Sequence, residues 1–387
     1  MTKKILHVIT GLDVGGAESV LSQVCLTESS FTHVVVSLSR GGFFEGKLVE
    51  NGISVHRLGI KKNLTSVVIG LLKLRRIIKI EKADVIQSWM YHADFFAFVA
   101  SFGFSKIPLV WCIRNTTLDP IASGRMTSRL VTFLGYLARL RFVKIITTCA
   151  YTAIDVHASR GYPREKFIVI PNGVDCGHFR QLPDMRDKLR EYYRLPVRSV
   201  KSRGRPFQIG FVGRFHAQKN IPLLLKAFAD VRIERPDCFL ACAGSGIDSS
   251  NLKLRNLIRK RNLDDHIFLR GFLSDVNFFL NTLDVLVLPS SFGEAFPNVL
   301  AEAMACGVPC IASDVGDSRF IIDDTGWVVR PDSRQALADA IVLAHDESAE
   351  SEKWAERKEK CRARVESKYS IETMIENYMK LWRGELR

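Results

Sequence analysis

The sequence predicts an α/β protein made of two Rossmann-like domains, each a doubly wound parallel sheet covered by helices on both faces. Three observations lead to this fold class. The chain has 387 residues, more than one hydrophobic core usually organises. Short apolar, β-branched runs alternate with helical stretches along its length, which is typical of parallel sheets. A charged segment with three prolines and a glycine, 180–206, separates the two halves.

Each half supplies its own set of predicted strands. The first half contains Ile5–Thr10, His33–Leu38, Ile53–Leu58, Val85–Ser88, Leu109–Ile113, Lys144–Thr148 and Ile168–Pro171. The second half contains Phe207–Val212, Phe239–Ala243, Ile267–Leu269, Val285–Pro289, Cys310–Ala312 and Trp327–Val329. We therefore expect an N-terminal Rossmann-like domain over 1–180, a linker region over 181–206 and a C-terminal Rossmann-like domain over 207–369. The amphipathic helix over about 370–387 is expected to pack back on the first domain.

Composition indicates an ordinary globular protein of a reducing compartment. Hydrophobic residues make up 47% and charged residues 25% of the chain. No apolar run approaches the roughly 20 residues needed to span a bilayer, and the N-terminus enters a strand with no signal-peptide pattern. Nine cysteines at irregular spacing, several inside apolar runs, are interpreted as small buried hydrophobes. We expect a cytoplasmic protein without a structural metal or disulfide.

The net charge of +14 indicates anionic partners. Much of the excess lies in four patches: Lys61–Lys62, Lys73–Lys82, Arg125–Lys144 and Arg198–Arg205. Because the patches of the first half adjoin apolar residues, they suit adsorption to an anionic membrane surface. The alternative is a solvated basic face. No nucleic-acid-binding motif is present, so no nucleic-acid partner is expected.

The first chemical motif follows the strand Phe207–Val212. Its loop carries Gly213, Arg214 and Lys219, and a helix with a proline near its first turn comes next. Ligands of doubly wound sheets bind beyond the carboxyl ends of the strands, and a helix N-terminus favours an anion there. Two cations beside that point suit a diphosphate without a metal; the alternative is two surface charges on a loop. The Walker pattern of a P-loop is absent.

The second motif follows the strand Val285–Pro289. Glu294 lies in the loop, Asn298 near the start of the next helix, and Glu302 one turn further on the same face. One carboxylate in the loop and one in the helix can reach different hydroxyls of a single ligand, since a carboxylate accepts hydrogen bonds from vicinal hydroxyls.

Together these segments resemble the motifs of retaining glycosyltransferase family 4. The spacing from Glu294 to Glu302 resembles its E-x7-E signature, and Gly213-Arg214 with Lys219-Asn220 resembles its diphosphate-binding motif. The resemblance covers nearly the whole chain, including IPNGVDCGHF at Ile170–Phe179. It implies the GT-B fold, in which two Rossmann-like domains face a central cleft. The domain over 1–180 would then bind the acceptor and the domain over 207–369 the nucleotide-sugar donor.

The resemblance also implies roles for these residues. Arg214 and Lys219 would neutralise the donor diphosphate and the leaving group. Glu302 would accept hydrogen bonds from the nucleotide ribose. Glu294 would contact hydroxyls of the donor sugar. The backbone of Ala295 and Phe296 would help to hold the sugar or phosphate.

Further donor contacts are expected in two more loops. The segment around Gly271 and Phe272 would flank the nucleobase, mostly through its backbone. Asp317 occupies another loop after a strand and is a candidate for lining the donor site. The sequence contains no D-x-D tripeptide, the usual handle of a metal-bound nucleotide sugar, so we expect no metal and no cofactor.

The first half supplies candidates of its own. After the first strand, Gly15 and Gly16 resemble the family's GGAE segment, which faces the donor phosphates and the acceptor; alone they could equally form a tight turn. His92 follows a strand end and matches the family's active-site histidine, which would hydrogen-bond the transferred sugar; a lone histidine is otherwise more often structural. Arg114 and Asn115 are candidates for acceptor or donor contact.

The resulting hypothesis is a retaining, metal-independent hexosyltransferase that uses a nucleotide diphosphate sugar, with UDP the expected nucleotide. A saccharide, lipid-linked at the inner face of a bacterial membrane, is the expected acceptor, in lipopolysaccharide O-antigen, capsule or exopolysaccharide biosynthesis. Two alternatives stay open. One is a UDP-sugar 2-epimerase of the same fold, and the other is a non-catalytic basic protein that binds nucleic acid or saccharide.

Overall fold

The computed structural model describes residues 2–27, 30–104, 106–116, 125–197 and 206–386, with residue 125 described by its backbone alone. The chain divides into two compact units. The first is Met1–Gly173 with Ile371–Arg387, and the second is Val174–Ser370. Each contains one parallel sheet flanked by helices, which confirms the predicted fold class. The basic patch Arg198–Arg205 lies outside the described residues.

Seven parallel strands form the sheet of the first unit, in the order β3-β2-β1-β4-β5-β6-β7. In chain order they are β1 Lys4–Ile9, β2 Thr32–Ser37, β3 Ser54–Arg57, β4 Val85–Trp89, β5 Leu109–Ile113, β6 Val143–Thr148 and β7 Phe167–Val169. In the central strands nearly every residue is buried, so both faces of the sheet are covered. This agrees with the near-continuous apolar sequence of these strands. The strand order reverses between β1 and β4, and ligands of such sheets bind at this switch point.

Two layers of helices cover this sheet. The described helices of the unit are α1 Gly16–Thr27, α2 Phe43–Glu50, α3 Leu64–Glu81, α4 Tyr91–Ser101, α5 Arg125–Ala138, α6 Thr152–Ala158 and, from the end of the chain, α15 Ile371–Arg383. Helices α3, α4 and α5 share one hydrophobic core with the sheet. Helices α1 and α15 share the core on the other face, where Trp382 donates from Nε1 to Gln87 Oε1 at 2.6 Å.

The second unit repeats the plan with six parallel strands, in the order β10-β9-β8-β11-β12-β13. They are β8 Phe207–Val212, β9 Cys238–Ala243, β10 Ile267–Leu269, β11 Val285–Leu288, β12 Cys310–Ser313 and β13 Trp327–Val329. Its described helices are α7 Arg186–Tyr192, α8 Ile221–Glu234, α9 Leu252–Arg259, α10 Asn277–Leu280, α11 Asn298–Ala305, α12 Ser318–Ile322, α13 Arg334–Ser348 and α14 Ser351–Lys368. The switch point lies between β8 and β11.

Residues 180–197, expected to begin a linker, pack onto the second unit. Arg190 of α7 is fully buried and donates to Asp284 Oδ2 at 2.7 Å. Arg186 donates to the other carboxylate oxygen of Asp284 at 2.5 Å. Because two guanidinium groups face this buried carboxylate, its pKa lies below the ordinary value, although burial alone would raise it. The two ion pairs thus fasten α7 to the start of β11.

Across the described helices, none is long and apolar enough to cross a bilayer.

Candidate active site

The loops at the carboxyl ends of the second sheet are joined to one another by backbone hydrogen bonds. After β8, Gly213 N–H donates to the carbonyl of Ala243 at 3.0 Å. After β9, Gly244 N–H donates to the carbonyl of Gly271 at 2.7 Å. These bonds join the predicted diphosphate loop after β8 to the end of β9, and the loop after β9 to the predicted nucleobase segment after β10.

The Gly244 loop was missed by the sequence analysis. Gly244 has φ +137°, a conformation that favours glycine, and a Cβ at this position would overlap the carbonyl oxygen of Gly213. The Gly-Ser-Gly sequence at Gly244–Gly246, directly after a strand, was the available signal. This glycine allows the loops after β8 and β9 to approach closely.

The centre of the site is an ion pair between two predicted ligand-binding groups. Lys219 Nζ lies 2.6 Å from Glu294 Oε1, and their side chains are only 14% and 7% exposed. Ser290 Oγ, also buried, donates to the same carboxylate oxygen at 2.6 Å. The sequence analysis assigned Lys219 to the phosphates and Glu294 to the sugar, and the structure brings the two together. A cation and a carboxylate in contact can bind adjacent phosphate and hydroxyl groups of one ligand.

A polar network fixes the loops that carry this pair. Asn220, which caps α8 with φ +46°, donates from Nδ2 to Ser291 Oγ and to Asp332 Oδ1, both at 2.8 Å. Ser291 Oγ donates to the same oxygen of Asp332 at 2.6 Å. Gln218 Nε2 donates to the carbonyl of Gly293 at 2.9 Å. The loops after β8 and β11 therefore form one connected surface. Of these supporting residues the sequence analysis named Asn220 alone, as part of the diphosphate-binding motif.

Arg214 lies in the same loop as Lys219, but its side chain is exposed. Within the described residues its guanidinium makes no hydrogen bond or ion pair. An exposed guanidinium two residues beyond β8 can accept an anionic ligand without first losing a protein partner.

Glu302 lies on α11 with its carboxyl mostly withdrawn from solvent. Burial raises the pKa of this carboxyl to about 7; nearby His178 opposes the rise and nearby Asp275 adds to it. His178 Nε2 lies 3.0 Å from Asp275 Oδ1, so these two groups form their own pair. In the described part of the chain no donor makes a hydrogen bond to the Glu302 carboxyl. A buried carboxylate that lacks donors is suited to accept hydrogen bonds from ligand hydroxyls.

The residues around Glu294 contribute backbone more than side chain. Asp317 N–H donates to the carbonyl of Ala295 at 2.9 Å, and the Asp317 side chain is buried. The Phe296 ring is buried against Tyr369, with ring centroids 5.4 Å apart, so this side chain serves packing. Gly316, at φ +59°, lets the loop after β12 touch the carbonyl of Glu294.

Two other predicted residues are exposed at the same edge. Asn298 is the first residue of α11. Phe272 is 76% exposed, next to Gly271, whose φ of +68° turns the chain after β10. An exposed aromatic ring beside a glycine turn offers an apolar surface to a flat ligand.

In the first unit, the predicted residues also follow strands of the central sheet. Gly16 begins α1 directly after the loop that contains Gly15, and a Cβ on Gly16 would meet nothing. His92 lies exposed in the first turn of α4, behind Met90, whose φ is +73°. Although the side chain reaches the surface, neighbouring atoms partly desolvate the ring and lower the pKa of His92 below its ordinary value, so the neutral imidazole predominates at pH 7.

Arg114 is engaged in packing the C-terminal helix. Its guanidinium donates to Tyr378 Oη on α15 at 3.2 Å and to Asn172 Oδ1. It also lies 5.9 Å from the ring centroid of Trp89. Neighbouring Asn115 has partners of its own. Arg114 therefore ties α15 to the end of β5, a structural role that the sequence analysis did not foresee.

Among the residues that the structure describes, two clusters of metal-binding residue types lie away from these loops. Cys25, His7 and His33 are buried together in the first unit. Both ring nitrogens of His7 are engaged there, one by His33 Nδ1 at 3.0 Å and one by Trp89 Nε1–H at 3.2 Å. A metal on Nε2 would leave His7 without a ring proton, so this cluster suits a hydrogen-bonded core network better than a metal site. The other cluster is Asp237, Cys238 and His345.

Comparison with known proteins identifies the family. The family model for "Glycosyltransferase Family 4" matches residues 14–178, and the model for "Glycosyl transferases group 1" matches residues 197–361. The chain belongs to the group 1/family 4 glycosyltransferases. The two matches fall on the two structural units, so both units of this glycosyltransferase are family domains.

Curated relatives are similar to parts of this glycosyltransferase. An Escherichia coli UDP-Gal:alpha-D-GlcNAc-diphosphoundecaprenol alpha-1,3-galactosyltransferase is 30% identical over 187 residues, 47% of this chain and 46% of that protein. An N-acetyl-alpha-D-glucosaminyl L-malate synthase of Bacillus anthracis is 29% identical over 286 residues, 73% of this chain and 69% of that protein. The chain spans about half the length of the first curated relatives it matches.

Solved structures share the fold. Anabaena HepE in complex with UDP has a TM-score of 0.83 at 21% identity, covering 98% of this chain and all of that one. A glycosyltransferase of Rickettsia africae has a TM-score of 0.81 at 19% identity, covering 99% of this chain and 98% of that one. The predicted GT-B class, with two Rossmann-like domains, is confirmed.

Proposed function

We propose that this glycosyltransferase moves a hexose from a UDP-sugar to a saccharide acceptor, with retention of configuration. The observation that carries the proposal is the Lys219–Glu294 pair, 2.6 Å apart and nearly buried, with Arg214 exposed in the same loop. This group of charges provides cations for a diphosphate and a carboxylate for sugar hydroxyls at one sheet edge.

The choice of UDP is supported by the relatives. The Escherichia coli relative is named for UDP-Gal, and Anabaena HepE has been solved with UDP and with UDP-glucose. In this chain, Glu302 would accept from the ribose hydroxyls, and the Gly271–Phe272 turn would flank the base. Glu302 lies on the helix that follows β11, and the Gly271–Phe272 turn lies in the loop that follows β10, a strand of the same sheet.

Leaving-group stabilisation is proposed to come from side chains, without a metal or other cofactor. Arg214 and Lys219 would balance the charge that develops on the departing diphosphate. That diphosphate would help to deprotonate the acceptor hydroxyl as an oxocarbenium-like pair forms. His92, neutral near pH 7, would hydrogen-bond the transferred sugar, and Gly15 and Gly16 would allow close approach of the backbone.

The acceptor is proposed to be a lipid-linked saccharide of lipopolysaccharide, capsule or exopolysaccharide assembly. Support comes from the diphosphoundecaprenol-linked acceptor in the name of the Escherichia coli relative. With such an acceptor the enzyme would work at a membrane surface, and we propose the anionic, cytoplasmic side.

A thermal-shift screen tests the donor site. The purified chain is heated with UDP, GDP or ADP and their sugar conjugates, with EDTA throughout. We expect UDP and its conjugates to raise the melting temperature of the wild type but not of Arg214→Ala or Glu302→Ala. Arg255→Ala, an exposed arginine on α9, is the matched control and should respond as the wild type does.

The outcomes separate the proposal from its rivals. Stabilisation that disappears in EDTA would contradict metal independence, and absence of any nucleotide effect would contradict the donor site. Conversion of a UDP-sugar to its 2-epimer without an acceptor would favour the epimerase.

A further inference from the structure

The outward surface of helices α3, α4 and α5 concentrates exposed apolar residues. Of the 24 large hydrophobic residues that are exposed in the described chain, 11 lie in these helices or within two residues of their ends. They are Leu64, Val68, Ile69, Leu72, Ile80, Val99, Phe102, Met126, Phe133, Tyr136 and Leu140. Single exposed apolar residues are normal, but a concentration of eleven on three helices is typical of a binding surface.

These residues recur at helical spacing on the side that faces away from the core. On α3, Leu64, Val68 and Leu72 follow one another at intervals of four residues, while Leu74 and Ile78 are buried beneath. The helix is therefore apolar on both its inward and outward sides, unlike a helix that meets water outside.

The three helices form one layer. Arg75 of α3 donates to the carbonyls of Ala100 and Phe102, at 3.1 and 2.5 Å, and so bridges to the end of α4. Phe95 of α4 lies against Phe133 of α5, with ring centroids 6.5 Å apart. All three also share one core with the sheet. The apolar residues therefore belong to one surface.

The same surface is strongly cationic. The stretch 61–144, which runs through the three helices and the strands between them, contains 14 lysines and arginines against four acidic residues. One of these cations, Arg114, is bound to α15 and does not belong to this surface. Among the described acids, Asp94 is buried and Glu81 is paired with Lys4 at 3.0 Å. Lys73, Arg76 and Lys79 are exposed among the apolar residues of α3.

We propose that this outward surface, the α3–α5 face, adsorbs to anionic phospholipid bilayers by electrostatic attraction and shallow insertion of its aliphatic side chains. Anionic headgroups attract juxtaposed Lys and Arg, and the acyl boundary takes up leucine and isoleucine side chains. A nucleic acid would satisfy the cations but would leave the aliphatic side chains without an apolar partner. The choice of a membrane rests in part on the proposed lipid-linked acceptor, whereas the face itself is evident from burial and charge.

Sedimentation with vesicles tests the face. Large unilamellar vesicles of phosphatidylcholine, with or without about 30% phosphatidylglycerol, are mixed with the full chain at about 0.1 M salt. One variant reverses charge, Lys73→Glu with Arg76→Glu, and another removes apolar contact, Ile69→Ser with Leu72→Ser. Because all four side chains are exposed, these variants are expected to keep the wild-type melting temperature.

Matched controls come from the second unit. Lys253→Glu with Lys260→Glu reverses two exposed charges, and Ile233→Ser with Leu343→Ser removes two aliphatic residues that are 83% and 58% exposed. We expect wild type and controls to bind the anionic vesicles alike, and each α3–α5 variant to bind at least about tenfold more weakly. UDP-induced stabilisation should be unchanged in all of them, so failure of the donor site would be seen separately.

Three outcomes would overturn the proposal. The first is equal binding of the wild type to neutral and anionic vesicles. The second is a loss in the control variants as large as in the α3–α5 variants. The third is that the α3–α5 variants bind vesicles as strongly as the wild type does but no longer bind a duplex oligonucleotide that the wild type binds. That result would assign the face to nucleic acid.

Discussion

At the residue scale, Lys219 and Glu294 neutralise each other before any ligand arrives. Glu294, the residue predicted to bind the sugar, forms an ion pair at 2.6 Å with Lys219, the residue predicted to bind the phosphates. Any anion that binds Lys219 must share it with this carboxylate or displace it. We therefore expect the proposed site to bind a nucleoside diphosphate more weakly than it would if Lys219 lacked its carboxylate partner.

Replacing Glu294 by glutamine tests this competition. We expect Glu294→Gln to bind UDP about threefold or more tightly, because the repelling carboxylate is gone, while sugar transfer falls about tenfold or more. Titration calorimetry with UDP measures the first effect, and release of UDP from a UDP-sugar measures the second. Ser290→Ala, which keeps both charges, is the control and should not tighten UDP binding. If Glu294→Gln instead binds UDP more weakly than the wild type, and as weakly as Lys219→Ala does, the role of Glu294 is to position the lysine.

The raised pKa of Glu302 predicts that the free energy of unfolding depends on pH. Its pKa rises from an ordinary 4.5 to about 7 in the folded chain, so folding favours the protonated form. The resulting stabilisation is complete below about pH 4.5 and is lost as pH rises through about 7. We expect Glu302→Gln to raise the free energy of unfolding relative to the wild type by about 1–3 kcal/mol at pH 8, and much less at pH 4.5.

Denaturant melts of both proteins at the two pH values measure this difference. Glu352→Gln, at an exposed glutamate on α14, is the control and should show no such dependence. An equal effect of Glu302→Gln at both pH values would contradict a buried, titrating carboxyl.

At the scale of elements, the loop after β9 depends on one glycine. Gly244→Ala should lower the free energy of unfolding by about 2 kcal/mol or more, because it combines an unfavourable φ of +137° with overlap on Gly213. The response of the melting temperature to UDP should shrink as well, since the two loops separate. Gly52→Ala, at φ +78° with open space around it, isolates the backbone cost and should lose only about 1 kcal/mol. Equal losses in the two variants would show that loop contact plays no part.

The elements themselves were predictable from the sequence, whereas their long-range contacts were not. Every predicted strand run overlaps an observed strand, because buried parallel strands need near-continuous apolar residues. Arg114 was interpreted as a ligand contact, yet its partner Tyr378 lies 264 positions away. The contact between Lys219 and Glu294 spans 75 positions. Local periodicity carries no information about such pairs. For Lys219 and Glu294, only their common location after strand ends could be predicted.

At the scale of the whole molecule, the two units should respond differently to loss of the C-terminal helix. Trp382 of α15 is buried in the first unit, whereas the proposed donor residues belong to the second. Trp382→Ala should cost about 3–5 kcal/mol of unfolding free energy, by creating a cavity and leaving Gln87 without its donor. Trp382→Phe should cost less, and UDP binding by the folded fraction should persist in both. Loss of UDP binding in folded Trp382→Phe would contradict this separation.

The central claim is that the second unit binds a nucleoside diphosphate through Arg214 and Lys219. Titration calorimetry with UDP in the presence of EDTA, on the wild type, Arg214→Ala and Lys219→Ala, tests it most directly. The account predicts measurable binding by the wild type and at least about tenfold weaker binding by each variant, since each loses a charge-assisted contact. Undetectable binding by the wild type, or equal binding by all three proteins, would contradict it.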